Sequence, residues 1–472
     1  MKTCKYSLLV YVLVLLTACA STRTNVSLVQ PLRNHLKTGN YAKAITQIDK
    51  ARQNKAYTKK DRVLYYLNKG SILHYQGQYA KSNELFEQAE LAMEELFTKS
   101  VSKAAASLLL NDNALPYYGE VYENIYVNIF KAVNYLNLNR FDDAYVEVRR
   151  IDIKLRELQD KYERMAREMN TAEDAKIKID PGTIKFTDDV LAHYISHLIY
   201  RAEGAYDDSR IALTNLNEAW NTYSNIYDYA MPDFIRKNIK WAQLGDASGS
   251  STRRGEKTKM NIIAFTGKAP SKKAVGGKIT TYDDAIGISS LEMPIATPNI
   301  PFPGMKKGYH FKFSMPVIKE GHSNINQIDV FMNSKKLGKL YLLEDMGKVA
   351  KHTFETKKNI IYFKTIIRTV VKGLAAAEAK KKLRKETGAN AFLGAIMDAA
   401  VDMGVDATEN ADLRCWQTMP QHCYVGEFDV PPGTHHITIK FINRNGLIVK
   451  TKEVPNFKVD AGLNLIDAVS LN

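Results

Sequence analysis

The sequence predicts a multidomain α+β chain, with a repetitive helical part first, a β-rich part second and a short linker between them. Three observations predict it. A turn signature recurs between apolar-periodic segments of residues 28–245. Residues 246–259 lose that period in favour of Gly, Ser and charge. From residue 260 onward, short alternating runs are bounded by Pro, Gly and Asn. Length agrees, because 472 residues of 45% apolar content supply core for two to three domains.

The chain opens with Lys2, Lys5, an apolar run over residues 6–16 and then Leu16-Thr17-Ala18-Cys19. The run is too short for a comfortable permanent span, and its charged start and small-residue end suit a removable signal. Small side chains let a peptidase grip an extended backbone, and the thiol after them is a nucleophile for a diacylglyceryl group. The stretch resembles the lipobox of bacterial lipoproteins. That resemblance implies a signal peptide over residues 1–18, acylation at Cys19 and a lipidated tether over residues 19–27. Because Ala20 is not Asp, it also implies an outer-membrane location, facing the periplasm. Two or three acyl chains, each buried at about 0.8 kcal/mol per CH₂, make a stable anchor. An ordinary secretory signal cut after Ala18 or Ala20 is the alternative.

Net charge is +15, or +13 once Lys2 and Lys5 leave with the signal, and the pI is near 9.3. Outside the cytoplasm the available polyanions are phospholipid head groups, lipopolysaccharide and wall polymers, so nucleic acid is not an expected partner. Cys4 goes with the signal and Cys19 is acylated. That leaves Cys415 and Cys423, for which a disulfide is the default expectation in an oxidising compartment. Seven intervening residues are not zinc-ligand spacing and His422 stands alone, so no metal is expected there.

The helical part repeats a pattern of small turn residue, spacer, aromatic, two further residues and small residue. It reads Gly39-Asn40-Tyr41-Ala42-Lys43-Ala44, Gly77-Gln78-Tyr79-Ala80-Lys81-Ser82, Asn139-Arg140-Phe141-Asp142-Asp143-Ala144 and Gly204-Ala205-Tyr206-Asp207-Asp208-Ser209. A Gly or Asn ends the first helix in a left-handed residue, the aromatic plugs the inter-helix gap, and the small residue permits a close crossing. The pattern resembles the inter-helix turn of tetratricopeptide repeats. The second unit matches best, with Gly70 and Leu73 before the turn and Phe86 and Ala89 after it. Ala132 keeps the small residue before the third turn, whereas Leu32 and His197 replace it in the first and fourth. Turn-to-turn distances of 38, 62 and 65 residues exceed the family period of about 34, leaving room for extra helix over residues 94–110 and 155–175. The resemblance implies an irregular α-solenoid whose groove binds envelope proteins. The acidic pairs Asp142-Asp143 and Asp207-Asp208 suit the start of a second helix, where carboxylates favour the macrodipole.

Beyond the linker, strands are expected over residues 260–266, 309–317, 327–333, 339–343, 424–430, 435–443 and 447–454, with Arg444-Asn445-Gly446 as a hairpin turn. Pro431-Pro432-Gly433-Thr434-His435 resembles a turn of small β-sandwich modules in envelope proteins, and implies a β-sandwich-like domain. A helical insertion is expected over about residues 362–405. It carries the apolar stripe Ile366, Ile367, Val370, Val371 and Leu374, followed by the basic run from Lys380 to Lys385. That run suits either a solvated helix face or anionic head groups. The small, apolar run over residues 392–401 suits tight helix packing, because Asp398 and Asp402 oppose a membrane span.

No catalytic pattern is found, and no cofactor is expected. His193 and His197 lie one helical turn apart, but Tyr194 stands where the HExxH metal motif needs Glu. Gly276-Gly277-Lys278-Ile279 lacks the first Gly of a phosphate loop, where Lys272 stands. His435-His436 opens a strand, and no G-x-S-x-G elbow occurs. The expected function is therefore a non-catalytic scaffold or adaptor, anchored in the outer membrane and regulating peptidoglycan synthesis in its sharper form. A structural link to wall polymer or anionic surfaces is the alternative, and an envelope hydrolase whose site the sequence does not display is a second.

Overall fold

The computed structural model describes residues 24–101, 112–170, 186, 188–243, 258–268, 270–290, 299–302, 305–387 and 410–472. Cys19, the signal over residues 1–18, residues 246–257 of the linker and residues 388–405 of the helical insertion lie outside the described residues, as do Asp398 and Asp402.

Four helix pairs fill the first half: α1 (Thr24–Lys37) with α2 (Tyr41–Gln53), α3 (Arg62–Tyr75) with α4 (Tyr79–Val101), α5 (Val121–Asn137) with α6 (Phe141–Asn170), and α7 (Val190–Glu203) with α8 (Tyr206–Thr222). A further helix, α9 (Asp233–Gln243), follows them. Each pair turns the same way. Gly39, Gly77, Asn139 and Gly204 take φ of +70°, +76°, +57° and +75°. The next amide then bonds back to the fifth carbonyl before it: Asn40 to His35, Gln78 to Leu73, Arg140 to Tyr135 and Ala205 to Tyr200, at 2.8–2.9 Å. This is the bond that satisfies the last carbonyls of a helix ending in a left-handed residue.

The small residues Ala44, Ser82, Ala144 and Ser209 are completely buried. Each stands twelve residues after its crossing partner, Leu32, Gly70, Ala132 or His197. Ser82 Oγ donates to the Gly70 carbonyl at 2.8 Å, and Ser209 Oγ lies 2.8 Å from His197 Nδ1, so the imidazole that replaces a small residue is held within the crossing by one nitrogen while its Nε2 is buried without a partner. Over the described residues, the long turn-to-turn distances are taken up by longer second helices. α4 spans 23 residues and α6 spans 30.

Twelve strands form three four-stranded sheets among the described residues. The first has the order β12 (Asn464–Ser470), β1 (Thr258–Thr266), β9 (His422–Val430), β8 (Tyr341–Asp345). The second runs β11 (Ile448–Val459), β10 (Gly433–Asn443), β6 (Ile325–Met332), β7 (Lys335–Lys339). The third runs β4 (Asn299–Pro301), β3 (Ala285–Ser289), β2 (Ser271–Tyr282), β5 (His310–Lys319). β12 pairs parallel with β1, whereas β9 pairs antiparallel with it and sets Cys423 opposite Phe265.

The first sheet is buried on both faces, and the two-residue period of β1 shows how. Met260, Ile262 and Ala264 join Ile328, Val330, Ile437, Ile439 and Phe441 of the second sheet in one apolar cluster. The alternate residues Ile263 and Phe265, with Cys423, Val425 and Val469, join the helices in another that also holds Phe86, Tyr126 and Phe130. Helices and strands on either side of the 246–259 linker therefore share a core.

Several sequence expectations are corrected. The insertion begins sixteen residues early, as α10 (Met346–Thr387), because Asp345 Oδ1 accepts the Gly347 and Lys348 amides at 3.1 Å and caps it. Its stripe of Ile366, Ile367, Val370 and Leu374 packs on the third sheet with Ile279, Ile286 and Phe313. The strand expected over residues 339–343 divides between β7 and β8. Strands β2, β3, β4 and β12 were not anticipated. Gly276-Gly277 lies inside β2, where a side chain at Gly277 would come within 2.4 Å of the Phe313 ring, so the glycine serves cross-strand packing.

Candidate functional site

The solenoid reading places a binding surface on the first helix of each pair. In α3, Asn68, Ser71 and Tyr75 follow at steps of three and four and so share one face. At the start of α5, Glu123 folds back to accept the Glu120 amide at 3.0 Å and the Tyr117 hydroxyl at 2.7 Å. These polar groups are buried, and buried polar groups need partners.

The partner is the chain itself. Residues 410–421, which have no regular secondary structure, cross this face immediately before β9. The Trp416 amide donates to Glu123 Oε1 at 2.6 Å, and the Gln417 amide donates to Asn68 Oδ1 at 3.0 Å. Tyr75 OH donates to the Thr418 carbonyl at 2.8 Å, while the Thr418 hydroxyl meets Ser71 Oγ and Asn68 Oδ1. The Trp416 indole lies against Phe86 and Phe130, with centroids 5.7 and 5.6 Å away, and its Nε1 donates to Ser71 Oγ at 3.2 Å. Side chains of Asn68, Tyr75 and Glu123 thus hold the backbone of this segment, Ser71 meets its Thr418 and Trp416 side chains, and a large aromatic fills the pocket between helices.

Arg414 secures the leading end. Its guanidinium donates to Asp61 and Asp412 at 2.8 Å and to the Leu115 and Asp112 carbonyls at 3.0 and 2.7 Å. Burial alone would weaken the charge of Arg414, but Asp412 and Asp61 hold its pKa above the ordinary value. Burial would likewise raise Asp412, and Arg414 holds it below the usual carboxylate range instead. Glu123 is shifted the other way, upward, by burial and by Glu120.

A second buried acidic site lies where α5, α7 and the segment after α8 meet β8. Glu344 accepts the Tyr227 hydroxyl at 3.1 Å and that of Tyr126 at 3.5 Å. Burial, and then the neighbouring Asp189, pushes its pKa well above normal. Asp189 itself caps α7 by accepting the Ala192 amide at 2.8 Å, and burial raises it to about 6. Arg201 of α7 reaches Glu427 of β9 at 2.6 Å, a buried ion pair across the same boundary.

The residues singled out from sequence fall elsewhere. Cys415 and Cys423 are both buried and unbonded, which corrects the disulfide expectation. Trp416 and Thr418 stretch the intervening chain over α3, leaving Cys415 Sγ beside the Pro270 carbonyl at 3.9 Å while Cys423 stays in the first sheet. Burial, and then Glu123, raises Cys415 to about 12 and keeps it a thiol.

The turn aromatics do not all plug inter-helix gaps. Tyr41 OH accepts from Lys450 at 3.2 Å, Tyr79 OH reaches Asp467 at 3.4 Å, Phe141 is partly buried and Tyr206 is 50% exposed. The first two rings are drawn toward the β half by its charged groups. His193 pairs with Asp188 and His197 with Ser209, each partner lying on the histidine's own pair of helices or its leading end. Lys272 forms a buried ion pair with Glu120 at 2.5 Å. His436 pairs with Glu453 at 2.6 Å. Among the described residues no three His, Cys, Asp or Glu side chains gather as a metal site, and no helix is long and apolar enough to cross a membrane.

Sequence reasoning missed Asn68, Ser71, Glu123, Arg414, Trp416 and Thr418. Polar residues at helical spacing on an otherwise apolar first helix were the available signal, together with one of only three tryptophans in the chain.

No protein-family model and no curated protein matches this chain. Among solved structures, it is similar to a tetratricopeptide repeat protein from Parabacteroides merdae at 12% identity and a TM-score of 0.21. That match covers 48% of this chain and 90% of the other.

Proposed function

We propose that this chain is a lipoprotein held in the outer membrane through Cys19, whose tetratricopeptide-like helices and β part form one rigid, non-catalytic scaffold for envelope partners. The observation that carries this reading is the occupation of the first-helix face by residues 410–421 and the first sheet. A solenoid whose groove is filled from within acts as a rigid body, and partners meet its remaining surfaces. Those surfaces have apolar side chains to offer. Leu91 on α4, Val146 and Ile153 on α6 and Ile211 on α8 are all exposed, and all lie on second helices. Anchoring would raise the effective concentration of any partner near the leaflet.

The test is metabolic labelling with a palmitate analogue alongside in-cell crosslinking, using Cys19→Ala as control. Label and a reproducible crosslinked protein, both lost in the control, are expected. An unlabelled native chain contradicts the anchor. The sharper role, regulation of peptidoglycan synthesis, predicts that adding the protein changes the rate of a reconstituted wall synthase; an unchanged rate removes that role.

The net charge of +15 favours a second reading, a direct link to anionic wall polymer. It predicts salt-sensitive co-sedimentation with purified peptidoglycan in the absence of any protein partner.

A further inference from the structure

The turn joining β10 and β11 carries apolar side chains into solvent. Asn443 Oδ1 accepts the Asn445 and Leu447 amides at 3.0 Å and Gly446 takes φ +77°, so the turn is braced by its own hydrogen bonds. Beyond it Leu447, Ile448 and Val449 are 63%, 54% and 37% exposed. Successive strand residues point to opposite faces, so exposure of both Ile448 and Val449 means that the tip overhangs the second sheet. β11 is also an edge strand. Three consecutive exposed aliphatic residues on a braced tip mark a contact surface better than scattered apolar residues do.

The surroundings of the tip are basic. Arg444 is exposed in the turn itself, whereas Lys450 turns inward, where burial lowers its pKa to about 8. Lys450 Nζ lies 3.2 Å from Tyr41 OH, which brings the α1–α2 turn, with exposed Lys37 and Lys43, beside the hairpin. The nearby carboxylates are engaged: Asp49 by Lys69, Glu453 by His436 and Thr438, and Asp467 by His74 and Tyr79.

We propose that this tip, Leu447, Ile448 and Val449 beside the exposed cations Arg444, Lys37 and Lys43, seats in the head-group region of an anionic phospholipid leaflet. Aliphatic side chains enter the boundary of the acyl region while the cations meet lipid phosphates, the combination by which interfacial segments hold to membranes. As a second contact beside an acylated Cys19, it rests on the envelope reading above.

The test uses the chain from Ala20 onward, which keeps every described residue and lacks the acylated cysteine, sedimented with vesicles of phosphatidylglycerol and phosphatidylcholine or of phosphatidylcholine alone. Binding to the anionic vesicles is expected, weakened about tenfold or more by Leu447→Glu with Ile448→Glu at unchanged melting temperature. In a separate Leu447→Trp variant, a blue shift of the added tryptophan's emission on vesicle addition is expected. Absence of binding, binding indifferent to the double substitution, or a tip that instead mediates self-association or peptidoglycan pelleting would each overturn the proposal. Vesicle binding by the unacylated chain combined with no acylation of Cys19 in cells would overturn the anchor and leave the hairpin contact standing.

Discussion

The Trp416 amide donates to Glu123 Oε1 at 2.6 Å, joining residues 293 apart in sequence at the point where the helical half meets the β half. The same carboxyl group receives the Tyr117 hydroxyl and the Glu120 amide, so one buried side chain organises the start of α5 and the segment laid across it. A buried acceptor of this kind is costly to leave unpaired, which ties the fold of each half to the presence of the other.

Trp416→Ala removes an indole packed against the stacked rings of Phe86 and Phe130 and should cost about 3–5 kcal/mol. Because helices and first sheet share a core, helical circular dichroism and near-ultraviolet signal should fall together at a lower midpoint. Two separated transitions in the unsubstituted chain would show that the halves fold independently.

Gly70→Ala places a Cβ 2.9 Å from the Phe86 ring and should cost about 1–3 kcal/mol through overpacking. Gly77→Ala meets open space but must hold φ +76°, a strain of about 1–2 kcal/mol. A double-substitution cycle with Phe86→Leu separates the two effects, since it should relieve the first loss and leave the second unchanged.

Much of the helical half was legible in sequence because its turns depend on local chemistry. Gly39, Gly77, Asn139 and Gly204 supply a left-handed residue whatever surrounds them, and Ala44, Ser82, Ala144 and Ser209 must be small for the helices to cross. The closed face was not legible, because Asn68 and Trp416 are brought together only by the tertiary fold and neither has a local signature. β2 was missed for a related reason: Lys272 and Gly276-Gly277 break the apolar alternation, and their partners, Glu120 and Phe313, lie far away in sequence.

Asp189 gives a pH dependence of definite sign. Burial raises its pKa from 3.8 to about 6, so the folded state binds the extra proton. The stability this group contributes is complete below pH 3.8 and is lost as pH rises through about 6. Glu344, shifted the same way, extends the loss toward higher pH. Asp189→Asn keeps the α7 cap and should flatten the fall in unfolding free energy between pH 4 and pH 7, by on the order of 2–3 kcal/mol. An identical pH profile for the two proteins would contradict the assignment.

Both remaining cysteines should be thiols. Thiol titration of the chain from Ala20 onward, unfolded without reductant, should find Cys415 and Cys423 reactive, and reductant should leave the melting temperature unchanged. A fall in melting temperature on reduction would reveal a disulfide.

Residues 410–421 close the first-helix face from within the same chain. Amide hydrogen exchange of the isolated protein, followed over peptides from this segment, tests this closure most directly. The Trp416 and Gln417 amides should exchange as slowly as those of β1 and far more slowly than the exposed turn at Arg444-Asn445-Gly446. Exchange of Trp416 and Gln417 as fast as that turn would show that the face is open in solution and that the segment does not close it.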